Sequence, residues 1–404
     1  MNHRKLTRRV YFSPAGPAAP ECDKLTKAML KTILILALVP MAFAQIPELT
    51  QDAHYPLTLI PSTTNEPAGY TPQQIRHAYG VDQIPNQGEG QIIGIIDAFN
   101  YPEVESDLGV FDQQFGLPDC TVANGCLTVV YASGTVPPGN KGWTGETSLD
   151  VEWAHSIAPK AKIVLVLAEN GWTGTLLAAV PIAVNYGATV INMSWGSLKE
   201  FPIEQILDQN FFSDPSVTYF NASGDDGYNL FGYPAASPLV VDCGGTKLQL
   251  NAEAQIVNET AWPGSGGGLS IYYPEPAYQL SAQSSGMRAI PDVSYDSAPG
   301  TGVATYDSEY SEPWSAAGGT SASSPQWAAI TAVANSLRAE LGKGSIGANF
   351  QSVLYANPSA LHDITSGTNG TCGAECTAGP GYDLVTGLGS PNVPKVVAAI
   401  VTAP

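Results

Sequence analysis

Basic residues are what this chain has least of: Lys and Arg number 17 against 36 Asp and Glu in 404 residues, for a formal net charge of −19. Such a surface repels a polyanion, which excludes nucleic acid as an expected partner. Charge of either sign is sparse, at 13% of residues, while Gly (41) and Pro (32) are plentiful, so neither a coiled coil nor a disordered acidic tail fits. Long apolar runs are missing after residue 44, and no membrane-spanning segment is expected in the remainder. The chain carries no internal repeat and no low-complexity tract. With 44% hydrophobic residues it is long enough for one large domain with a full core.

The few cations are unevenly placed. Residues 1–44 hold seven of them and two acids, so ten basic and 34 acidic residues remain over the other 360 positions, a net of −24. Leu30–Phe43, LKTILILALVPMAF, follows Lys24, Lys27 and Lys31 and closes on Ala42-Phe43-Ala44, the small-x-small pattern of a cleaved secretory leader. Met29 is an alternative start. The apolar run is shorter than the roughly 20 residues of a spanning helix, so a secreted or periplasmic chain is expected rather than an anchored one. The six cysteines agree with an oxidising compartment. Cys22 falls in the leader, Cys120 and Cys126 bracket one short loop, and Cys372 and Cys376 bracket another, which reads as two local disulfides. Cys243, in the apolar run Leu239-Val240-Val241-Asp242-Cys243, reads as an inert buried thiol. A zinc site on Cys372, Cys376 and His362 is the alternative for the second pair.

From Gln91 onward, strand-like runs (Ile92–Asp97, Lys162–Leu167, Thr189–Met193, Val217–Asn221, Leu239–Val241) alternate with helical patterns (Gly145–Ile157, Leu176–Tyr186, Ile203–Phe211). This rhythm predicts an α/β fold: a mainly parallel, doubly wound sheet with helices on both faces and ligands at the strands' carboxyl ends. Asn251–Pro313 reads as long loops with short strands, Ser321–Leu341 as a long helix with one apolar face, and Leu361–Val393 as a Gly-rich loop.

The chemistry-bearing residues lie at the junctions. In Gly318-Gly319-Thr320-Ser321-Ala322-Ser323-Ser324-Pro325, a serine stands where a glycine loop enters a helix, its hydroxyl near the positive end of the helix dipole. A plain helix cap explains the same residues. Glu146 and Asp150 are four apart and stack on one helical face. Two carboxyls so placed share a proton and suit acid–base work at low pH, where an imidazole is already protonated. A solvated acidic face is the alternative. Asp225, in Asn221-Ala222-Ser223-Gly224-Asp225-Asp226-Gly227, follows an apolar strand; it reads as a turn residue or, if buried and neutral, as a donor to an oxyanion.

In this order GETSLDVEWAHSIAPKAKI, VINMSWG, NASGDDG, WPGSGGGLS, RAIPDVSYDSAPGTG, GGTSASSP, DITSG and GPGYDLVTGLGSP resemble the sedolisins, the serine-carboxyl peptidases, from about Tyr70 to Pro391. The resemblance implies a subtilisin-like fold with a triad of Glu146, Asp150 and Ser321, and Asp225 in the oxyanion hole. It implies protein or peptide substrates, acid activity and a monomer. Ser194, Trp195 and Gly196, with Gly266, Gly267 and Gly268, would line the substrate cleft. A single Ca²⁺ would be held by Asp363 and Asp383 and by the carbonyls of Ile364, Gly379 and Gly381 within a loop at about 361–391.

Two rivals remain. Asp97 and His155 resemble parts of a subtilisin Asp/His/Ser site, although Ser156-Ile157-Ala158-Pro159 follows His155 where a glycine–threonine turn is expected. A secreted, non-catalytic binding module on a decayed peptidase fold is the other. The stretch 45–69 is too short for the folded prodomain common in the resembled family, so the chain from Gln45 is expected to fold without one, aided by calcium. Asn192, Asn221, Asn258 and Asn369 begin N-x-Ser/Thr sequons.

Overall fold

The computed structural model describes residues 46–228 and 232–404; the expected leader, 1–44, lies outside them. In chain order the principal strands are β1 (Thr58–Pro61), β2 (Ile92–Ala98), β3 (Leu127–Tyr131), β4 (Lys162–Ala168), β5 (Val190–Met193), β6 (Thr218–Ala222), β7 (Val240–Leu250), β8 (Ile256–Ala261), β9 (Gly268–Pro274), β10 (Met287–Ile290), β11 (Val293–Asp296), β12 (Val303–Tyr306) and β13 (Trp314–Gly318). Seven of them lie side by side in the order β3-β4-β2-β5-β6-β7-β11, all parallel, and β8 pairs antiparallel with the far end of β7. The runs IIGIIDA and KIVLVLA are apolar on both faces, as strands covered on both sides must be, and Ile93, Ile95, Ile96, Leu165 and Val166 are wholly buried.

The connections place the site. From β2 the chain runs out to β3, returns to β4 beside β2, then crosses to start β5 on the other side. This reversal opens a crevice beyond the carboxyl ends of β2 and β5, where doubly wound sheets bind ligands. Two buried helices border it. Lys141–Ile157 is capped by the Asn140 side chain, which accepts from the amides of Gly142 and Trp143, and every residue from Trp143 to Ile157 is buried. Ser323–Glu340, rich in alanine and buried from Ser323 to Ser336, packs against it and across β5 and β6.

The elements expected from the sequence are present, with two differences. β7 runs on to Leu250, well past Val241, because its second half leaves the parallel sheet and turns Lys247 and Gln249 outward in a hairpin with β8. The segment before Tyr70 belongs to the same compact unit, which starts at Ile46, and its β1 pairs with β13, the strand that leads to Ser321. Disulfides join Cys120 to Cys126 and Cys372 to Cys376, so the latter pair is not free for zinc, and Cys243 is a buried thiol. Among the described residues no helix is long and apolar enough to cross a membrane.

Candidate active site

Asp97 near the end of β2, and Glu146 and Asp150 on the Lys141–Ile157 helix, are each 0% exposed at the crevice. The solvated acidic face that the residues alone allow is therefore absent. Burial is the main force on all three, raising Glu146 and Asp150 well above the carboxylate range and pushing Asp97 up to about 7. Their mutual repulsion adds to this, since Asp97 raises both helix acids and Glu146 raises Asp150. Among the described residues no cation acts on these three carboxyls, so they cannot all be ionised and the cluster holds protons.

Hydrogen bonds decide where the charge rests. Asp150 accepts from Asn192 Nδ2 at 2.6 Å and from Ser194 Oγ at 2.7 Å, which favours its carboxylate. Asn192 Oδ1 in turn accepts from Ser324 Oγ at 2.6 Å, tying the acid-bearing helix, β5 and the serine-bearing helix together. Among the described residues neither Glu146 oxygen nor the buried Ser321 hydroxyl has a formed hydrogen bond, but the hydroxyl lies close enough to pull the Glu146 carboxyl down against the larger upward push of burial. Such contacts are often long in a resting site and tighten around substrate.

Ser321 sits in a tight turn between β13 and its helix, and the turn depends on Gly319. Its φ is +112°, and a methyl group there would come within 1.9 Å of the Pro56 carbonyl oxygen and 2.6 Å of Asp225 Oδ2. Asp225 follows β6. Its Oδ1 accepts from the Thr320 amide at 2.8 Å and the Thr320 hydroxyl at 3.1 Å. A proton on this carboxyl therefore belongs on Oδ2, the oxygen facing Gly319 and Pro56. Burial pushes the Asp225 pKa up to about 7, against the pull of those bonds. A carboxyl neutral below that pH can donate to a carbonyl oxygen or oxyanion.

The chain itself crosses this crevice. Gln51–Leu57 runs between two edges: Thr173 N–H donates to the Gln51 carbonyl, Ala53 N–H to the Gly171 carbonyl, and His54 and Gly196 exchange a pair of bonds at 2.8 and 2.9 Å. The Ser321 N–H then points to the Pro56 carbonyl at 3.4 Å.

The sequence-expected cleft residues divide. The Gly196 backbone faces the crevice, while Ser194 spends its hydroxyl on Asp150, and Trp195 is buried with Nε1 on the Ile96 carbonyl. Gly266, Gly267 and Gly268 face the protein's own backbone: a methyl on Gly266 would meet Ser223 O at 2.2 Å, one on Gly267 would meet Leu384 O at 2.0 Å, and Gly268 pairs with Ile290. They support the loop that carries Asp225, with Gly266 N–H donating to the Gly224 carbonyl. His155 is remote from this chemistry. It is buried, bonded to the Pro118 carbonyl at 2.8 Å and close to Asp112, and burial lowers it to about 4.

In the tail, Asp363 Oδ2 accepts from the Gly381 amide at 2.9 Å, and Asp383 accepts from Gly379, Val385 and Thr386 amides. Among the described residues no donor reaches the carbonyl oxygens of Ile364, Gly379 or Gly381. Two carboxylates and three unclaimed carbonyls in one loop are hard oxygen donors of the kind Ca²⁺ takes.

From the sequence, Ser324 and the Gln51–Leu57 strap have no role in the site, Asn192 is only the start of a sequon, and Asp97 is a strand-end residue near the cleft or, in the rival reading, a subtilisin aspartate. The available signal for Asp97 was an acid closing an otherwise apolar, doubly covered strand.

A buried carboxyl cluster, a serine at a glycine turn and a subtilisin-like sheet together define a class, and the comparisons agree. The sequence profile of the subtilase family matches residues 134–352, and the chain belongs to that family. Among the relatives it is similar to are the sedolisins. Kumamolisin of Bacillus sp. (strain MN-32) is 32% identical over 84% of this chain and 65% of its own length. Sedolisin of Pseudomonas sp. (strain 101) is 30% identical over 82% of this chain and 61% of its own. The chain thus spans less than two thirds of the curated relatives it matches. The solved structure of Pseudomonas sedolisin, a serine-carboxyl proteinase complexed with two molecules of pseudo-iodotyrostatin, superimposes with a TM-score of 0.70 at 27% identity, over 83% of this chain and 98% of that one.

Proposed function

We propose that this protein is a secreted, acid-active endopeptidase that cleaves peptide bonds through an acyl-enzyme on Ser321. The observation that carries the reading is that the Ser321 amide points at one peptide carbonyl oxygen, that of Pro56, while Asp225 Oδ2 borders the same space beside Gly319 and the serine hydroxyl lies beside the buried Glu146. Ser321 Oγ attacks the carbonyl carbon while Glu146 takes its proton. Asp150, held by Asn192 and Ser194, orients Glu146 and shares the proton. The oxyanion receives the Ser321 N–H and the Asp225 proton. Glu146 then protonates the leaving amine, and water enters by the same route to hydrolyse the ester. The location of His155 disfavours an Asp/His/Ser site, and the intact acids disfavour a decayed binding module.

Ser321→Ala and Glu146→Gln should each lower hydrolysis of denatured protein at pH 4 by at least about 10⁴-fold, as loss of a triad member does. Mass spectrometry of wild type quenched in acid should find the peptide ester on Ser321. Undiminished proteolysis by Ser321→Ala would sink the reading.

Ca²⁺ belongs to the same proposal. Asp363 and Asp383 with the Ile364, Gly379 and Gly381 carbonyls would hold it, and bound charge would pin a loop whose Leu384 carbonyl abuts Gly267. The two disulfides support an exported, oxidised chain.

A further inference from the structure

The Gln51–Leu57 strap lies in the crevice as a peptide lies in a peptidase, with its backbone bonded on both edges and one carbonyl at the amide of the nucleophile. That carbonyl belongs to Pro56, which makes Pro56–Leu57 the bond facing Ser321 and Tyr55 the residue just before the attacked carbonyl's residue. Tyr55 has a built slot. Its ring lies 4.8 Å from that of Trp143, which is 3% exposed and 6.3 Å from the Phe99 ring. The slot has no room for a side chain at Gly142, since a methyl there would come within 2.2 Å of the Tyr55 hydroxyl. Phe99 holds a φ of +67°, a conformation that costs a bulky residue energy and persists only where its surroundings enforce it. His54, by contrast, is exposed, with the exposed Asp226 at 3.9 Å.

From this geometry we infer that the crevice selects peptides with an aromatic ring one residue before the attacked carbonyl's residue. Trp143 is the specificity-determining residue, and the chain's own Pro56–Leu57 bond, already seated in the crevice, meets the same requirement. The inference rests on the peptidase reading above. Ser321 Oγ adds to the Pro56 carbonyl carbon, the C–N bond to Leu57 breaks, and Glu146 passes the serine proton to the Leu57 nitrogen. Water then hydrolyses the ester, leaving a Pro56 carboxylate and a new Leu57 amino terminus. Offset aromatic contacts discriminate by about tenfold when the ring is buried.

The test uses the full chain, brought to pH 4 and followed by intact mass and N-terminal sequencing. Leu57 should become an N-terminus in wild type and, at a similar rate, in Tyr55→Phe. The cut should slow at least about tenfold in Tyr55→Ala and be absent in Ser321→Ala. In parallel, the peptides Ala-Ala-Tyr-Pro-Leu-Ala and Ala-Ala-Ala-Pro-Leu-Ala are compared in the processed enzyme. The tyrosine peptide should lead in kcat/KM by about tenfold, and Trp143→Ala, or Trp143→Leu if that variant does not fold, should bring the ratio towards one. A ratio needs no correction for loss of active protein. An enzyme that digests denatured protein while Pro56 stays joined to Leu57, or that treats the two peptides alike, overturns the inference and leaves the peptidase reading standing. A chain inactive on every substrate and on itself overturns both.

Discussion

In the proposed mechanism Asp225 is what separates an acid peptidase from a neutral one. Its proton is useful only while the carboxyl is neutral, and burial holds that form up to about 7. Above that pH a carboxylate would face the developing oxyanion, so activity should fall. Asn at this position donates at any pH, so Asp225→Asn should move the alkaline limb of the pH–kcat profile upward, whereas Asp225→Ala should lose about 10²–10³-fold in kcat at pH 4. An unshifted limb in Asp225→Asn would assign it to another group. Ser321, Glu146 and Asp150 were legible in the sequence because each stands in a local pattern, a glycine turn before a helix or an i,i+4 pair. Asn192 was not: in sequence it is only the start of a sequon, and its hold on Asp150 exists because β5 ends beside a helix 42 residues earlier. Of the four sequons, Asn192, Asn221 and Asn369 are buried and Asn258 is exposed on β8.

Elements set the distances between these residues. The Gly318–Ser321 turn brings the serine amide to the crevice, and backbone fills the space beside Gly319. Gly319→Ala should therefore cost at least about 2 kcal/mol from strain at positive φ and push the Pro56 and Asp225 oxygens apart, seen as a lower denaturation midpoint together with a lower kcat. The tail loop is a second such element. Chelation should lower Tm, calcium should restore it, and Asp383→Asn should abolish the difference; a Tm indifferent to chelator would count against the ion. Both helices bordering the site were legible from periodicity. The strap was not, because Gln51–Leu57 has neither period nor motif, and its place depends on edges supplied by Gly171 and Gly196, more than a hundred residues further on.

On the scale of the whole molecule, the scarcity of basic residues continues into the interior. Arg288 is paired with Asp292, and Arg338 caps the carbonyls of Ile400 and Ala403, so neither serves the acids at the crevice. Burial pushes Asp97 and Asp225 up to about 7 and Glu204 to about 9, and raises Glu152, Asp242 and Asp296 well above the carboxylate range. A carboxyl whose folded pKa lies above its unfolded value contributes full stability below about pH 4. As pH rises towards the folded value, each loses about 1.4 kcal/mol per unit. His155, lowered to about 4, works in the opposite direction between about 4 and 6.5, but it is one group against several. Tm should therefore be at least about 5 °C lower at pH 7 than at pH 4, and a Tm that rises over this interval would show these acids to be ionised at little cost. The composition made the acidity legible, but not that so many acids are buried, of which Asp242 alone among those named feels a cation, Arg288; that depends on packing.

The central claim is that a buried carboxyl pair, not an imidazole, serves the serine. It is tested most directly by the pH–activity profile on denatured protein, with product masses read out, for wild type, Glu146→Gln and His155→Gln. The account predicts activity confined below about pH 7, internal cleavage products, loss in Glu146→Gln and retention of the acid profile in His155→Gln. An alkaline optimum that disappears with His155 would contradict it.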